Sequence, residues 1–146
     1  MEKHPFRRED LARVHQRWPE LASFAVELHH AWPLLTPGAH RLLLDGGRVT
    51  LTLFFGDAND LIRKIRMSAD ALFLDGFAPS KNPDLWQASL LQEVTRLCAP
   101  GATLATWSVA AGVREALSAR RWNLEKRPGF GHKREMLCGV LFGDLL

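Results

Sequence analysis

The chain has 146 residues, of which 47% are hydrophobic and 24% charged, with a net charge of +3 and a pI near 9.2. This length predicts a single domain over residues 1–146, long enough to bury about two thirds of the surface of its unfolded chain. The composition is typical of a soluble globular protein, and the sequence contains no long uncharged apolar run and no apolar signal core, which argues against a membrane protein and a secreted one.

The first half of the chain predicts two helices, a hairpin and a short third helix. Apolar residues recur at helical spacing over about 7–18, and a second helix begins at Pro19 and ends before Pro33. Two β-rich runs then flank residues 45–47, whose sequence Asp-Gly-Gly favours a hairpin turn. A short helix over about 60–66 follows the hairpin.

The second half predicts strands that alternate with helices. Two apolar runs, ADALFLDGF and GATLATW, show little alternation and predict strands covered on both faces. One helix starts near Pro83 and lies between them, and another covers 109–119. The last two strands, WNLEKR and EMLCGVLF, are joined by the turn-forming loop PGFGHK. This order predicts an α/β fold with a parallel sheet, in which the last two strands form an antiparallel pair at one edge.

The two cysteines, Cys98 and Cys138, lie far apart and match no metal-ligand spacing. We therefore predict no metal site and interpret both as reduced core thiols of a cytoplasmic protein.

Positive charge is concentrated in one segment, because residues 114–134 hold seven basic side chains and two acidic ones. One interpretation of this segment is a solvated face, and the other is a site for a polyanion such as RNA.

Two acidic residues directly follow predicted strands. Asp57 comes after LTLFFG, and Asp75 comes after ALFL. Ligands of α/β sheets bind at the carboxyl ends of strands, although an acidic residue in such a place also caps turns and helices. Glu2 would occupy an equivalent place if a strand preceded it. We expect Glu2, Asp57 and Asp75 to converge on one edge of the sheet.

The segments ALFLDGFAPSKNPDLW, LCAPGATLATW and KRPGFGHKREMLCGVL resemble the methyltransferase domain of the MnmC family, which acts in tRNA 5-methylaminomethyl-2-thiouridine biosynthesis. HQRWPELA and HRLLLDGGRVTLTLFFGDAND resemble the same domain further upstream. The resemblance covers essentially the whole chain. It implies a Rossmann-like class I fold that uses S-adenosylmethionine (SAM), of which this chain would form the C-terminal portion.

The resemblance also implies a reaction and a set of site residues. A methyl group would pass from SAM to the primary amine of 5-aminomethyl-2-thiouridine at the tRNA wobble position, with Asp75 as the acceptor of the amine proton. The residues expected to contact SAM are Glu2, Gly56, Asp57, Ala58, Gly76 and Phe77. The residues expected to contact the tRNA anticodon arm are Lys81, Lys126, Arg127, Phe130, Lys133 and Arg134. The remaining tryptophans of this half, Trp86, Trp107 and Trp122, are interpreted as core residues.

The sequence departs from the family pattern in one respect. Class I methyltransferases open with a strand, a glycine-rich turn and a helix, and no GxGxG or GxGxxG stretch precedes the first hairpin here. We therefore expect a truncated domain that binds SAM weakly or not at all, and no FAD-dependent oxidase domain. A missing N-terminal segment or a separate oxidase partner would supply the rest. The alternatives are a non-catalytic remnant that binds RNA or a protein partner, and a nucleotide-binding oxidoreductase fragment, which no dinucleotide glycine motif supports.

Overall fold

The computed structural model describes residues 1–143. The chain forms two compact units, Met1–Leu61 and Ile62–Leu146, and each is described by itself. The α-helices are α1 (Arg8–His15), α2 (Ala22–Ala31), α3 (Ala58–Leu61), α4 (Ala88–Arg96) and α5 (Ala111–Ser118). The strands are β1 (Gly38–Leu44), β2 (Val49–Phe55), β3 (Ala69–Leu74), β4 (Cys98–Thr106), β5 (Trp122–Pro128) and β6 (Glu135–Leu141). Across 1–143, none of the helices has the length and apolar composition that crossing a bilayer requires.

The predicted hairpin is confirmed in the first unit. Strands β1 and β2 pair in antiparallel register from Gly38 opposite Phe55 to Leu44 opposite Val49. Asp45, Gly46 and Gly47 form the turn with φ angles of 54°, 63° and 88°. These left-handed angles explain the Asp-Gly-Gly sequence, because glycine reaches them without a steric penalty and aspartate tolerates them.

The two predicted helices of this unit are present, but both are shorter than the sequence indicates. Helix α1 ends at His15, and the backbone at Trp18 lies outside the helical region with φ −129° and ψ 74°. A residue before proline is driven out of the helical region by the proline ring, so α1 cannot continue through Trp18. Residues Pro19–Leu21 form a 3₁₀ turn, and the α-helical hydrogen bonding of α2 starts only at Ala22.

The second unit is built on a mixed four-stranded sheet with the order β3-β4-β6-β5. Strands β3 and β4 are parallel, whereas β6 is antiparallel to both of its neighbours, so the predicted antiparallel pair lies at one end of the sheet. Helix α4 contributes the adjacent buried residues Leu90 and Leu91, and helix α5 contributes Val113 and Leu117, which are four positions apart. The core that they share with the sheet comprises Trp86, Leu91, Ala102, Leu104, Val113, Leu117, Trp122, Leu137 and Leu141.

The expectation that β3 and β4 are covered on both faces is wrong. Leu72 and Leu74 of β3 pack against the core, but the side chain of Phe73 between them is 78% exposed. In β4, Ala102 and Leu104 are buried while Thr103 is exposed. Successive side chains of a strand point to opposite faces, so one face of this sheet is packed and the other is open in the described chain.

Candidate functional site

In the first unit, the chain around Glu2 lies beside the end of β2. The amide of Glu2 donates to the carbonyl of Phe54 at 2.9 Å, and the amide of Gly56 donates to the carbonyl of Glu2 at 2.9 Å. The pairing of Glu2 with Phe55 is parallel. Glu2 therefore lies beside Gly56 and the end of β2, so that Glu2, Gly56 and Asp57, three of the residues expected to contact SAM, belong to the same part of this unit.

Gly56 has a backbone conformation that favours glycine. Its φ is +138°, and a Cβ at this position would lie 3.1 Å from Cδ1 of Leu61. Both the backbone angle and the contact exclude a larger residue without adjustment. The strand end consequently presents bare backbone beside the carboxylates of Glu2 and Asp57.

Asp57 is held by neighbours on both carboxylate oxygens. Lys3 Nζ lies 2.8 Å from Oδ2, and the amide of Asn59 donates to Oδ1 at 2.9 Å. The hydrogen bond from Lys3, followed by that from Asn59, lowers the pKa of Asp57. Asp57 precedes α3, which opens at Ala58, and its carbonyl accepts from the amide of Leu61 at 3.1 Å. The alternative interpretation of Asp57 as a helix cap thus has direct support.

The hydrogen-bond acceptors at this strand end fit the adenosine half of SAM. The side chain of Glu2 is exposed, and its Oε1 accepts from the amide of His4 at 2.7 Å, which orients the carboxylate. Ionised carboxylates only accept hydrogen bonds, and the ribose hydroxyls and adenine amino group are donors. Glu2 is open to ribose hydroxyls, whereas an adenine amino group would have to share Asp57 with Lys3.

In the second unit, the turn after β3 is anchored by two tryptophans. The indole N–H of Trp107 donates to the carbonyl of Gly76 at 3.1 Å, and that of Trp86 donates to the carbonyl of Phe77 at 2.7 Å. Within residues 1–143, the carboxylate of Asp75 has no hydrogen bond and no ion pair. The interpretation of Asp75 as a turn cap therefore finds no support among these contacts, and the carboxylate is exposed.

Asp75 lines a cleft of about 400 Å³ at the end of β3 and β4. Lys133 and Phe130, two of the residues expected to contact RNA, line the same cleft. Phe73, Trp107 and Met136 add apolar wall. The fold of this unit thus brings a carboxylate, an ammonium group and aromatic rings to one opening, although Asp75 and Phe130 are 55 positions apart in the chain.

The loop between β5 and β6 presents Phe130 to solvent. The phenyl ring is 95% exposed. The loop is closed by hydrogen bonds from the amide of Gly129 to the carbonyl of Arg134 at 3.2 Å and from the amide of Lys133 to the carbonyl of Phe130 at 3.2 Å. A Cβ at Gly129 would collide with the carbonyl oxygen of Lys133, so the tight loop requires glycine there.

The other expected contact residues differ in their surroundings. Lys126 pairs with Glu135 at 2.9 Å, and Arg127 pairs with Glu125 at 2.9 Å. The bond to Glu125 raises the pKa of Arg127, which remains a cation. The lining of the Asp75 cleft does not include Phe77, Lys81 or Arg134, and all three are exposed.

Trp107 is the residue that the sequence interpretation missed. Trp86 and Trp122 are buried, with 8% and 3% of their surface exposed, as a core interpretation requires. Trp107 is only half-buried, and Lys133 Nζ lies 4.4 Å from the centroid of its ring. The available signal was its place directly after β4, at the same strand ends as Asp75.

Comparison with known proteins shows the family. The protein-family model described as "S-adenosyl-L-methionine-dependent methyltransferase" matches residues 19–141. The chain is 60% identical over 139 residues to the tRNA 5-methylaminomethyl-2-thiouridine biosynthesis bifunctional protein MnmC of Aromatoleum aromaticum, covering 95% of this chain and 22% of that protein. Its identity to the protein of the same description from Azoarcus sp. (strain BH72) is 58% over 142 residues, covering 97% of this chain and 22% of that protein.

A solved structure gives the same result at the level of fold. The crystal structure of MNMC2 from Aquifex aeolicus superimposes with a TM-score of 0.66 at 26% identity, covering 85% of this chain and 37% of that chain. The chain therefore spans 22% of the length of these two curated relatives.

Proposed function

The chain belongs to the family of S-adenosyl-L-methionine-dependent methyltransferases, and from that premise we propose that it forms the acceptor side of an MnmC-type site. The acceptor would be the primary amine of 5-aminomethyl-2-thiouridine in tRNA, whose methylation gives the nucleoside in the names of both relatives. The observation that carries the proposal is the cleft lined by the carboxylate of Asp75, which has no partner within residues 1–143, together with the exposed ring of Phe130 and the ammonium group of Lys133.

Asp75 would act on the amine in this cleft. SAM, when bound, supplies a methyl group that is already activated by its positive sulfur. The protein's own task is therefore to align the amine and to keep its lone pair available. An exposed carboxylate without a described partner can accept a hydrogen bond from the amine, orient it, and take up its proton.

Phe130 and the basic residues would hold the tRNA anticodon arm. A wobble base turned out of the loop can stack on an exposed aromatic ring, and Phe130 stands at the cleft mouth. Lys133 lines the cleft together with Phe130 and would contact a phosphate there. Lys81, Lys126, Arg127 and Arg134 would contact the backbone phosphates outside the cleft.

The adenosine half of SAM would bind at Glu2, Gly56, Asp57 and Ala58. The 146 residues contain no glycine-rich turn for the methionine half, so we propose that this chain alone binds SAM weakly or not at all. Calorimetry of the 146-residue chain with SAM tests this, and micromolar affinity would contradict it. The sequence also has no dinucleotide glycine motif, so FAD-dependent oxidation would belong to another domain or protein. We place the protein in the cytoplasm, where Cys98 and Cys138 would stay reduced.

A segment exchange tests the proposed activity. The 142 residues of this chain that align with the Azoarcus relative replace the matching segment of that protein, to which identity is 58%. The exchanged protein is assayed for methyl transfer from labelled SAM to tRNA that carries 5-aminomethyl-2-thiouridine. We expect methylation of this tRNA and none of tRNA with an unmodified wobble uridine. An exchanged protein that binds the tRNA without methylating it would contradict the proposal.

That contradictory result would favour the second candidate, a non-catalytic module that binds RNA. One observation favours it: the ion pair with Lys3 already occupies Asp57. For such a module, Asp75→Asn would remove no catalytic activity, because the module transfers no methyl group.

A further inference from the structure

The cleft of the second unit contains two opposite charges that do not pair with each other. Asp75 and Lys133 both line it, and no ion pair joins them within the chain that the structure describes. Lysine carries its charge on a long flexible stem, so Lys133 can reach towards a carboxylate that lines the same cleft. A different interaction of Lys133 therefore has to compete with this pairing.

Trp107 supplies that interaction. The ammonium nitrogen of Lys133 lies 4.4 Å from the centroid of the indole ring. A cation above the face of tryptophan at this distance is attracted by the negative face of the ring. The ring is held at its edge, because its N–H donates to the carbonyl of Gly76, the residue directly after Asp75. One side chain thus contacts both the turn that carries the acid and the loop residue that carries the cation.

We propose that Trp107 is a positioning residue that keeps Lys133 away from Asp75, so that the cleft receives a substrate with an amine at one end and a phosphate at the other. The inference rests on the proposed function and deepens it. Asp75 remains open to the substrate amine, and Lys133 remains open to an anionic group. The substrate class is an aminoalkylated nucleotide held by both of its charges, which a direct ion pair between Asp75 and Lys133 would exclude.

The geometry is tested first on the 146-residue chain without any ligand. A methylene group above an indole ring is shielded, so the ε-protons of Lys133 should resonate upfield in the proton NMR spectrum. Lys133→Met identifies the signal by its disappearance. We expect Trp107→Leu to remove the upfield shift. Trp107→Phe should keep part of it, because a phenyl ring attracts a cation less strongly. An unshifted Lys133 signal in the parent chain would overturn the proposal.

The consequence is then tested with RNA. Two anticodon stem-loops are compared by fluorescence anisotropy, one with 5-aminomethyl-2-thiouridine and one with uridine at the wobble position. We expect the parent chain to prefer the aminomethyl loop and Trp107→Leu to weaken this preference about twofold to thirtyfold, the range that a cation–π interaction supports. Trp107→Phe should restore part of the preference and checks that the leucine variant has not simply lost its fold.

The outcomes separate this inference from the proposed function. If the parent prefers the aminomethyl loop and Trp107→Leu keeps the whole preference, the positioning role is wrong while the proposed function stands. If the parent binds neither loop, the proposed function fails and the inference fails with it. If Lys133→Met leaves the preference of the parent in place and restores the preference that Trp107→Leu has lost, the two residues act together as proposed.

Discussion

The two carboxylates that follow strand ends, Asp57 and Asp75, have opposite surroundings. Asp57 is held by Lys3 at 2.8 Å and by the amide of Asn59 at 2.9 Å, and these bonds lower its pKa. Asp75 is exposed, and among residues 1–143 its carboxylate has no such partner. Both follow an apolar strand, Asp75 directly after Leu74 of β3 and Asp57 one residue later, after Gly56.

This difference suits the two carboxylates to different roles, one as a fixed hydrogen-bond acceptor and the other as a proton acceptor. A carboxylate whose oxygens are occupied and whose charge is stabilised is a poor proton acceptor, but it is a rigid hydrogen-bond acceptor. A carboxylate without partners can form its first strong hydrogen bond with a substrate and exchange a proton with it. We therefore expect substitutions at Asp57 to change stability, and substitutions at Asp75 to change catalysis.

The largest expected effect is on the rate of methyl transfer. In the protein with the exchanged segment, Asp75→Asn should slow the reaction by about a hundredfold to ten-thousandfold, the usual loss when a positioned base is removed. Binding of tRNA should change little, because asparagine keeps the size of the side chain. Single-turnover rates at saturating tRNA measure the chemical step.

Asp70→Asn is the matched control for this variant. Asp70 lies on β3, the strand that Asp75 follows, and it is exposed as well. It does not line the cleft, so its substitution should leave the rate within about twofold, as for a surface position. Equal rates for Asp75→Asn and the parent would show that Asp75 is only a turn residue.

How much of the structure could be predicted from the sequence depends on how far apart the interacting residues lie in the chain. The hairpin turn was predictable because residues 45–47 determine their own left-handed angles. The family was identifiable from whole segments such as ALFLDGFAPSKNPDLW, and the comparisons confirm it. The contact of Trp107 with Lys133 was not predictable, because it joins positions 26 apart that only the sheet brings together.

The open face of β3 shows the same limit. An apolar run such as ALFL is expected to be covered on both sides, because parallel strands usually are. Whether anything covers Phe73 depends on which other polypeptide packs there, and the strand's own residues do not determine that.

The predicted convergence of Glu2, Asp57 and Asp75 on one edge stays a prediction, as do the single domain over 1–146 and the roles of the site residues.

The second effect concerns the backbone beside Asp57. Gly56→Ala should lower the free energy of unfolding by about 1–3 kcal/mol, the cost of a strained backbone conformation. The reason is the φ of +138° together with a contact of 3.1 Å between the new Cβ and Leu61. Urea unfolding measures the loss. Gly112→Ala is the control, since a Cβ there meets nothing within 4 Å, and it should be neutral or stabilising.

The third effect concerns the cations of the second unit. Lys133→Ala should weaken binding of an anticodon stem-loop more than Arg127→Ala, because Arg127 is already paired with Glu125 while Lys133 lines the cleft. Removing a phosphate contact should reduce the slope of log affinity against log salt concentration by about 0.7 to 1. Anisotropy titrations at several salt concentrations give this slope. Lys64→Ala, at an exposed lysine outside the cleft, is the control, and a slope loss there equal to that of Lys133→Ala would contradict a specific site.

The smallest effect is the pH dependence that the Lys3–Asp57 pair contributes. The folded chain holds the pKa of Asp57 below that of a free aspartate, so under acidic conditions the unfolded chain binds more protons at this residue. The stabilisation is complete above the pKa of free aspartate and is lost as the pH falls through the lowered folded value.

The variant Asp57→Asn tests this pH dependence, because it keeps an oxygen for the amide of Asn59 but has no charge for Lys3. The urea midpoint of the parent should therefore exceed that of the variant near neutral pH, and the gap should close on acidification. Added salt should also narrow the gap at neutral pH, because Lys3 and Asp57 are both partly exposed. A gap that is independent of both pH and salt would mean that Asp57 acts only as a helix cap, and the contrast with Asp75 would then rest on Asp75 alone.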